Sequence, residues 1–157
     1  MTQPQRPGGF DMNRLTTGQK VSLGAGILYL ISLFFPWLGA DLGEFADILG
    51  VDVDTSVSGW AGGIGTLSGV MVIALLIWEG LAAAGTNVNL GNTSPALVGA
   101  ILGAATVVLG IINFIQSLDG LQIGAWIGLI ALLALAYGAY VRFQESKVGG
   151  SAPPPMA

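Results

Sequence analysis

The run VSLGAGILYLISLFFPWL, residues 21–38, contains no charged residue and is long enough to cross a bilayer as a helix. At 1.5 Å per residue, about 20 apolar residues span roughly 30 Å of hydrocarbon. Three more such runs follow. The second extends from about Trp60 to Ala84 through GVMVIALLIW and holds one acid, Glu79; the third covers about Pro95–Ile115 and the fourth about Leu121–Val141. Runs of this length predict helices, because a barrel strand needs only about ten residues and alternates in polarity. The first run reads as a retained span rather than a removable signal segment. The expectation is an all-α integral membrane four-helix bundle over residues 18–143, between a mobile tail at 1–17 and a disordered tail at 144–157.

Composition points the same way. Of the 157 residues, 53% are hydrophobic and 9% charged, and the mean hydropathy is +0.75. A soluble domain carries about 25% charged residues, so this chain has too few to cover a surface in water. It has no cysteine and no histidine, which excludes disulfides, thiolate nucleophiles, imidazole bases and the usual zinc ligands. No carboxylate pair recurs within the spans. The reading is therefore of no enzyme, with no catalytic residue, metal ligand or cofactor site expected. A net charge of −4 also argues against nucleic acid, whose phosphates call for a basic surface.

All five basic residues flank the spans: Arg6, Arg14 and Lys20 before the first, Arg142 and Lys147 after the fourth. The positive-inside rule then places both termini in the cytoplasm, and an even number of spans requires them to share a side. The 39–59 loop faces outward, and the GTNVNLGNTSP loop, residues 85–95, faces inward. Trp37, Trp60, Trp78 and Trp126 lie near predicted span ends and read as interface anchors.

The outer loop holds five of the nine acids, Asp41, Glu44, Asp47, Asp52 and Asp54. DLGEFADILG, residues 41–50, spaces Leu42, Phe45 and Leu49 as a short amphipathic helix, and VDVDTSVS, residues 51–58, alternates as an extended segment. Three readings stand side by side. The acids mark only the outer side; or Phe45, Ile48, Leu49, Asp52 and Asp54 form a partner-binding surface; or the loop holds calcium. An EF-hand counted from Asp52 fails at Val57, where glycine is needed, and at Gly63, where glutamate is needed.

Glycines recur four residues apart at Gly65 and Gly69, Gly99 and Gly103, and Gly124 and Gly128, with Gly110 extending the third span's stripe. Such pairs share a helix face and admit a close neighbour, either within the bundle or from another subunit. Asn113 reads as an interhelical hydrogen-bonding residue. Glu79, the one ionisable group inside a predicted span, has several readings: it reaches headgroup water, pairs with Lys20 or Arg142, touches another subunit, or relays protons.

The tail motif Phe10-Asp11 with Arg14-Leu15, the span end SLFFPW at Ser32–Trp37, and SGW at Ser58–Trp60 together resemble small four-span bacterial membrane proteins without an assigned activity. The resemblance covers roughly the first 60 residues and continues by topology alone. It implies a bacterial cytoplasmic membrane location and no chemistry. The layout is also similar to claudins in span number and in its longer first outer loop, without their cysteine pair. The expected function is a structural or accessory membrane subunit. It would associate through the glycine faces and acidic loop with a larger membrane complex or as a homo-oligomer, its other partner being the lipid bilayer. The alternative is a pore or small-solute carrier with an acidic outer vestibule.

Overall fold

A computed structural model describes residues 12–39, 47–48, 50, 55–86, 88 and 90–148. Four helices dominate it: α1 (Thr17–Ser32), α2 (Gly62–Ala83), α3 (Pro95–Gln116) and α4 (Ile123–Val148). Each packs on its neighbour in sequence, and α4 closes the ring against α1. In this up-and-down arrangement the start of α1, the end of α2, the start of α3 and the end of α4 meet at one end of the bundle, called here the tail end. The inter-helix connections after α1 and α3 lie at the other, the loop end.

The outer faces of the helices are apolar, unlike those of a protein folded in water, while small and polar residues join the apolar ones in the interior. On α1 the buried residues are Gly18, Gln19, Ser22, Ala25, Gly26, Tyr29 and Ser32, while Ile27, Leu28 and Ile31 are exposed. The outer faces of the other helices carry Val70 and Ile77, Ile101 and Val108, Ile130 and Leu133, all more than half exposed. Water would drive these aliphatic groups inward. Hydrocarbon has no such preference, and small or polar residues then gather where backbones approach and hydrogen bonds close. The helices α2, α3 and α4, of 22, 22 and 26 residues, are long and apolar enough to cross a membrane. This is a helical, membrane-embedded fold.

The first predicted span departs from expectation. Helix α1 has 16 residues, roughly 24 Å at 1.5 Å each, short of the ~30 Å core. It stops at Ser32 because Pro36 lies just beyond: proline has no N–H to donate and disfavours helical backbone in the residue before it. The last turn tightens, with Phe34 N donating to Ile31 O and Phe35 N to Ser32 O. The chain then doubles back as strand β1 (Pro36–Leu38), antiparallel to β2 (Val57–Ser58). Gly39 N donates to Gly120 O and Gln122 N to Trp37 O, tying β1 to the α3–α4 connection. The fold is thus a helical bundle with a small strand pair at its loop end, not helices alone.

The tails are also more structured than expected where they are described. A 3₁₀ turn (Met12–Arg14) and buried Leu15 precede α1, and α4 continues through Val148 rather than ending near Val141. Of the proposed docking loop, Ile48 is 79% exposed, whereas Phe45, Leu49, Asp52 and Asp54 lie outside the described residues.

The start of α1 is fixed by a capping box. The Thr16 hydroxyl accepts from Gln19 N and the Gln19 side chain accepts from Thr16 N, satisfying two donors that a helix start leaves free. Thr16→Ala is expected to lower stability by about 1 kcal/mol, and Thr16→Ser by much less, in unfolding followed by circular dichroism in detergent. Equal losses for the two variants would sink the capping role.

Candidate functional site

The tail end holds a buried ionic cluster. On α2, Ser68, Val72, Leu75 and Glu79 recur at three- and four-residue intervals, and all are fully buried; the period that turns the core stripe inward turns Glu79 inward with it. On α4, Leu135, Gly138 and Arg142 continue the buried face. The two stripes meet at a bidentate pair. Arg142 Nε donates to Glu79 Oε1 at 2.9 Å and Nη2 to Oε2 at 3.0 Å, the fork geometry that makes Arg–carboxylate pairs strong and directional. Arg142 is 4% exposed. Of the two cations the sequence offers, the structure uses Arg142, and Glu79 does not reach headgroup water.

The cluster extends to α1. Arg142 Nη1 donates to Glu145 Oε2 at 3.1 Å. The Glu145 carboxylate in turn accepts from Gly18 N at 3.1 Å and from the Thr16 hydroxyl at 2.9 Å. A carboxylate over the first turn of α1 satisfies orphan N–H groups and sits at the positive end of the helix dipole. Helix α3 contributes space: a Cβ at Gly99 would collide with Glu79 Oε1 and stand 3.2 Å from Arg142 Nε. At Gly18 it would lie 2.8 Å from Arg142 Cδ. All four helices therefore converge on one guanidinium.

The other singled-out glycines are consumed in the same way. A Cβ at Gly65 would strike the carbonyl of Gly59, and at Gly69 the ring of Trp60. At Gly103 it would press on Ala139 Cβ at 3.1 Å, and at Gly110 on Leu132 and the Tyr29 hydroxyl. Gly124 and Gly128 form a slot for the indole of Trp37. These faces are filled by the chain's own atoms, so they are not open grooves for a second subunit.

Trp37 corrects the belt assignment most sharply. It is 1% exposed, its Nε1 donates to Ser32 O at 2.8 Å, and its ring meets Tyr29 edge-on at 6.1 Å. The chain bends at Pro36, which carries the indole back into the bundle. Trp60 is half-buried, edge-on to Phe34, and its Nε1 and Ser22 Oγ are the buried side-chain atoms without a partner among the described residues. Trp78 Nε1 donates to Pro95 O across the α2–α3 connection. Trp126 is 51% exposed beside Phe114. Asn113 Nδ2 donates to Gly59 O at 3.1 Å, joining α3 to the segment entering α2.

Sequence reasoning missed Glu145 as a member of the ionic cluster. Glu145 stood in a stretch read as tail, although its position three residues after Arg142 would place it on the same helix face. The Gln19 cap was visible as the last residue of a T-x-x-Q pattern that starts at Thr16. Among the described residues, no group of three or more acids could hold a metal ion. Compared with protein-family models, with curated proteins and with solved structures, the chain matches none.

Proposed function

We propose that this chain is a non-enzymatic structural or accessory protein of a bacterial cytoplasmic membrane, spanning it four times with both termini inside. The observation that carries the reading is that its interior is spent on itself. Most polar side chains of the core bond one another or nearby backbone, as in Glu79–Arg142, Tyr29–Ser68 and Asn113–Gly59, with Ser22 Oγ and Trp60 Nε1 the exceptions among the described residues. Tyr29, Leu33, Leu75 and Leu132 fill the space between helices. An interior so occupied supports a scaffold rather than a path for ions, which must trade hydration for polar groups along a continuous face.

The inside placement of the tails rests on Arg6, Arg14, Lys20 and Lys147. Arg142, buried against Glu79, contributes no free charge to that count. With the glycine faces consumed internally, association falls to the outer aliphatic faces and the acidic outer loop around Ile48. Extraction from native membranes in mild detergent, followed by mass and composition, is expected to recover foreign chains in a fixed ratio. A bare homo-oligomer that also passes cations in proteoliposomes, with flux lost in Asn113→Leu, would overturn the scaffold reading in favour of a pore.

A further inference from the structure

Helices α3 and α4 leave an apolar groove of about 410 Å³ on the outer face of the bundle, within the size range of ligand sites. Its floor is made of small residues, Ala100 and Ala139, each 6% exposed. Ile101, Val108 and Phe143 stand up around them as walls. Along α3 the groove runs from Leu97 to Val108, roughly 16 Å at 1.5 Å per residue. That is about half of a ~30 Å hydrocarbon core, the depth of a single leaflet.

The tail end of the groove differs from the rest. The Lys147 ammonium lies 4.4 Å from the centroid of the Phe143 ring, a cation–π contact that holds the charge at the groove's mouth. Tyr140, also a lining residue, accepts at its hydroxyl from Gln144 Nε2 at 2.8 Å. Its lone-pair partner is thereby supplied, and its own proton is left to donate. One end thus offers an ammonium and a hydroxyl donor, and the remainder offers only hydrocarbon. We propose that this groove binds one anionic phospholipid from the leaflet on the tail side, with an acyl chain along the alanine floor and the phosphate between Lys147 and Tyr140. A second copy of the chain would be served by the apolar floor alone, whereas the polar mouth and the one-leaflet length match a lipid. The inference needs the membrane embedding but not the scaffold reading.

The test uses the full chain purified in detergent with equimolar phosphatidylglycerol and phosphatidylcholine of identical acyl chains, read by native mass spectrometry. One phosphatidylglycerol per chain is expected to be retained in preference to phosphatidylcholine. Lys147→Gln should lower that preference about fivefold, the worth of one lysine near an anionic surface. Ala104→Leu with Ala136→Leu, two exposed lining positions, should abolish retention of both lipids. Equal retention of the two lipids by the unaltered chain overturns the proposal, as does undiminished retention once the groove is filled. A dimer lost in the leucine variant while lipid stays bound would assign the groove to a second copy instead. Should the leucine variant fail to fold, the Lys147→Gln comparison decides alone, because Lys147 lies outside the packed core.

Discussion

Arg142→Leu is expected to destabilise the bundle by about 3–5 kcal/mol, while the double variant Arg142→Leu with Glu79→Met recovers most of that loss. The asymmetry follows from where the charges sit. Glu79 is fully buried and both its oxygens are taken by the guanidinium, so removing Arg142 leaves a carboxylate without a counter-charge in a domain surrounded by hydrocarbon. Removing both partners replaces two desolvated ions with apolar groups of similar volume, which is often close to neutral. Glu145→Gln should cost less, because Glu145 is a quarter exposed and solvent screens it. Thermal unfolding in detergent, followed by circular dichroism, reads these differences as a drop of roughly 10 °C for the single variant. Equal midpoints for the single and double variants would show that the pair is not coupled.

The same cluster shows how far a sequence of this kind can be read. The helices α2 and α3 were legible almost to the residue, because a long apolar run with at most one charge, flanked by Gly, Ser and Pro, leaves few alternatives. Ser94 caps α3 and Pro95 opens it, which is where both residue types are favoured. The inward turn of Glu79 was also present in the spacing from Leu75 and Val72. Its partner was only one of two candidates, since Lys20 and Arg142 both flank the tail end in an antiparallel bundle. Choosing between them required the helix phase of α4, and the sequence blurs that phase because aliphatic residues occur all around α4.

Glycine spacing announced close contact but not what makes the contact. A pair four residues apart has one appearance whether the neighbour is a helix, an indole or a carboxylate. In this chain Gly103 receives a helix, Gly128 an indole and Gly99 a carboxylate. Tryptophan misled for a related reason. A tryptophan near the end of an apolar run is equally consistent with the headgroup belt and with a chain that bends back on itself. Pro36, immediately before Trp37, was the deciding signal, and the expectation of an 18-residue span outweighed it.

Trp37→Ala is expected to cost about 3–5 kcal/mol, the range for deleting a large buried aromatic. A tryptophan in the headgroup belt would cost far less, so this substitution separates the two placements. The loss combines the emptied slot against Gly124 and Gly128 with the Ser32 carbonyl, which gives up its indole donor. Gly128→Leu attacks the same contact from the other side: a Cβ there already meets Trp37 Cη2 at 2.9 Å and Ser32 Oγ at 3.1 Å. The indole must leave its slot, and stability should fall by a comparable amount. Emission from a variant with Trp37 as the sole tryptophan, with Trp60, Trp78 and Trp126 changed to Phe, should then shift to longer wavelength as the ring meets a more polar environment. Because one ring and one slot are involved, the two substitutions should not add. In Trp37→Ala with Gly128→Leu, the leucine enters space the indole has vacated, and the combined loss should fall short of the sum by more than 1 kcal/mol. Strict additivity would mean that Gly128 is needed for something other than Trp37.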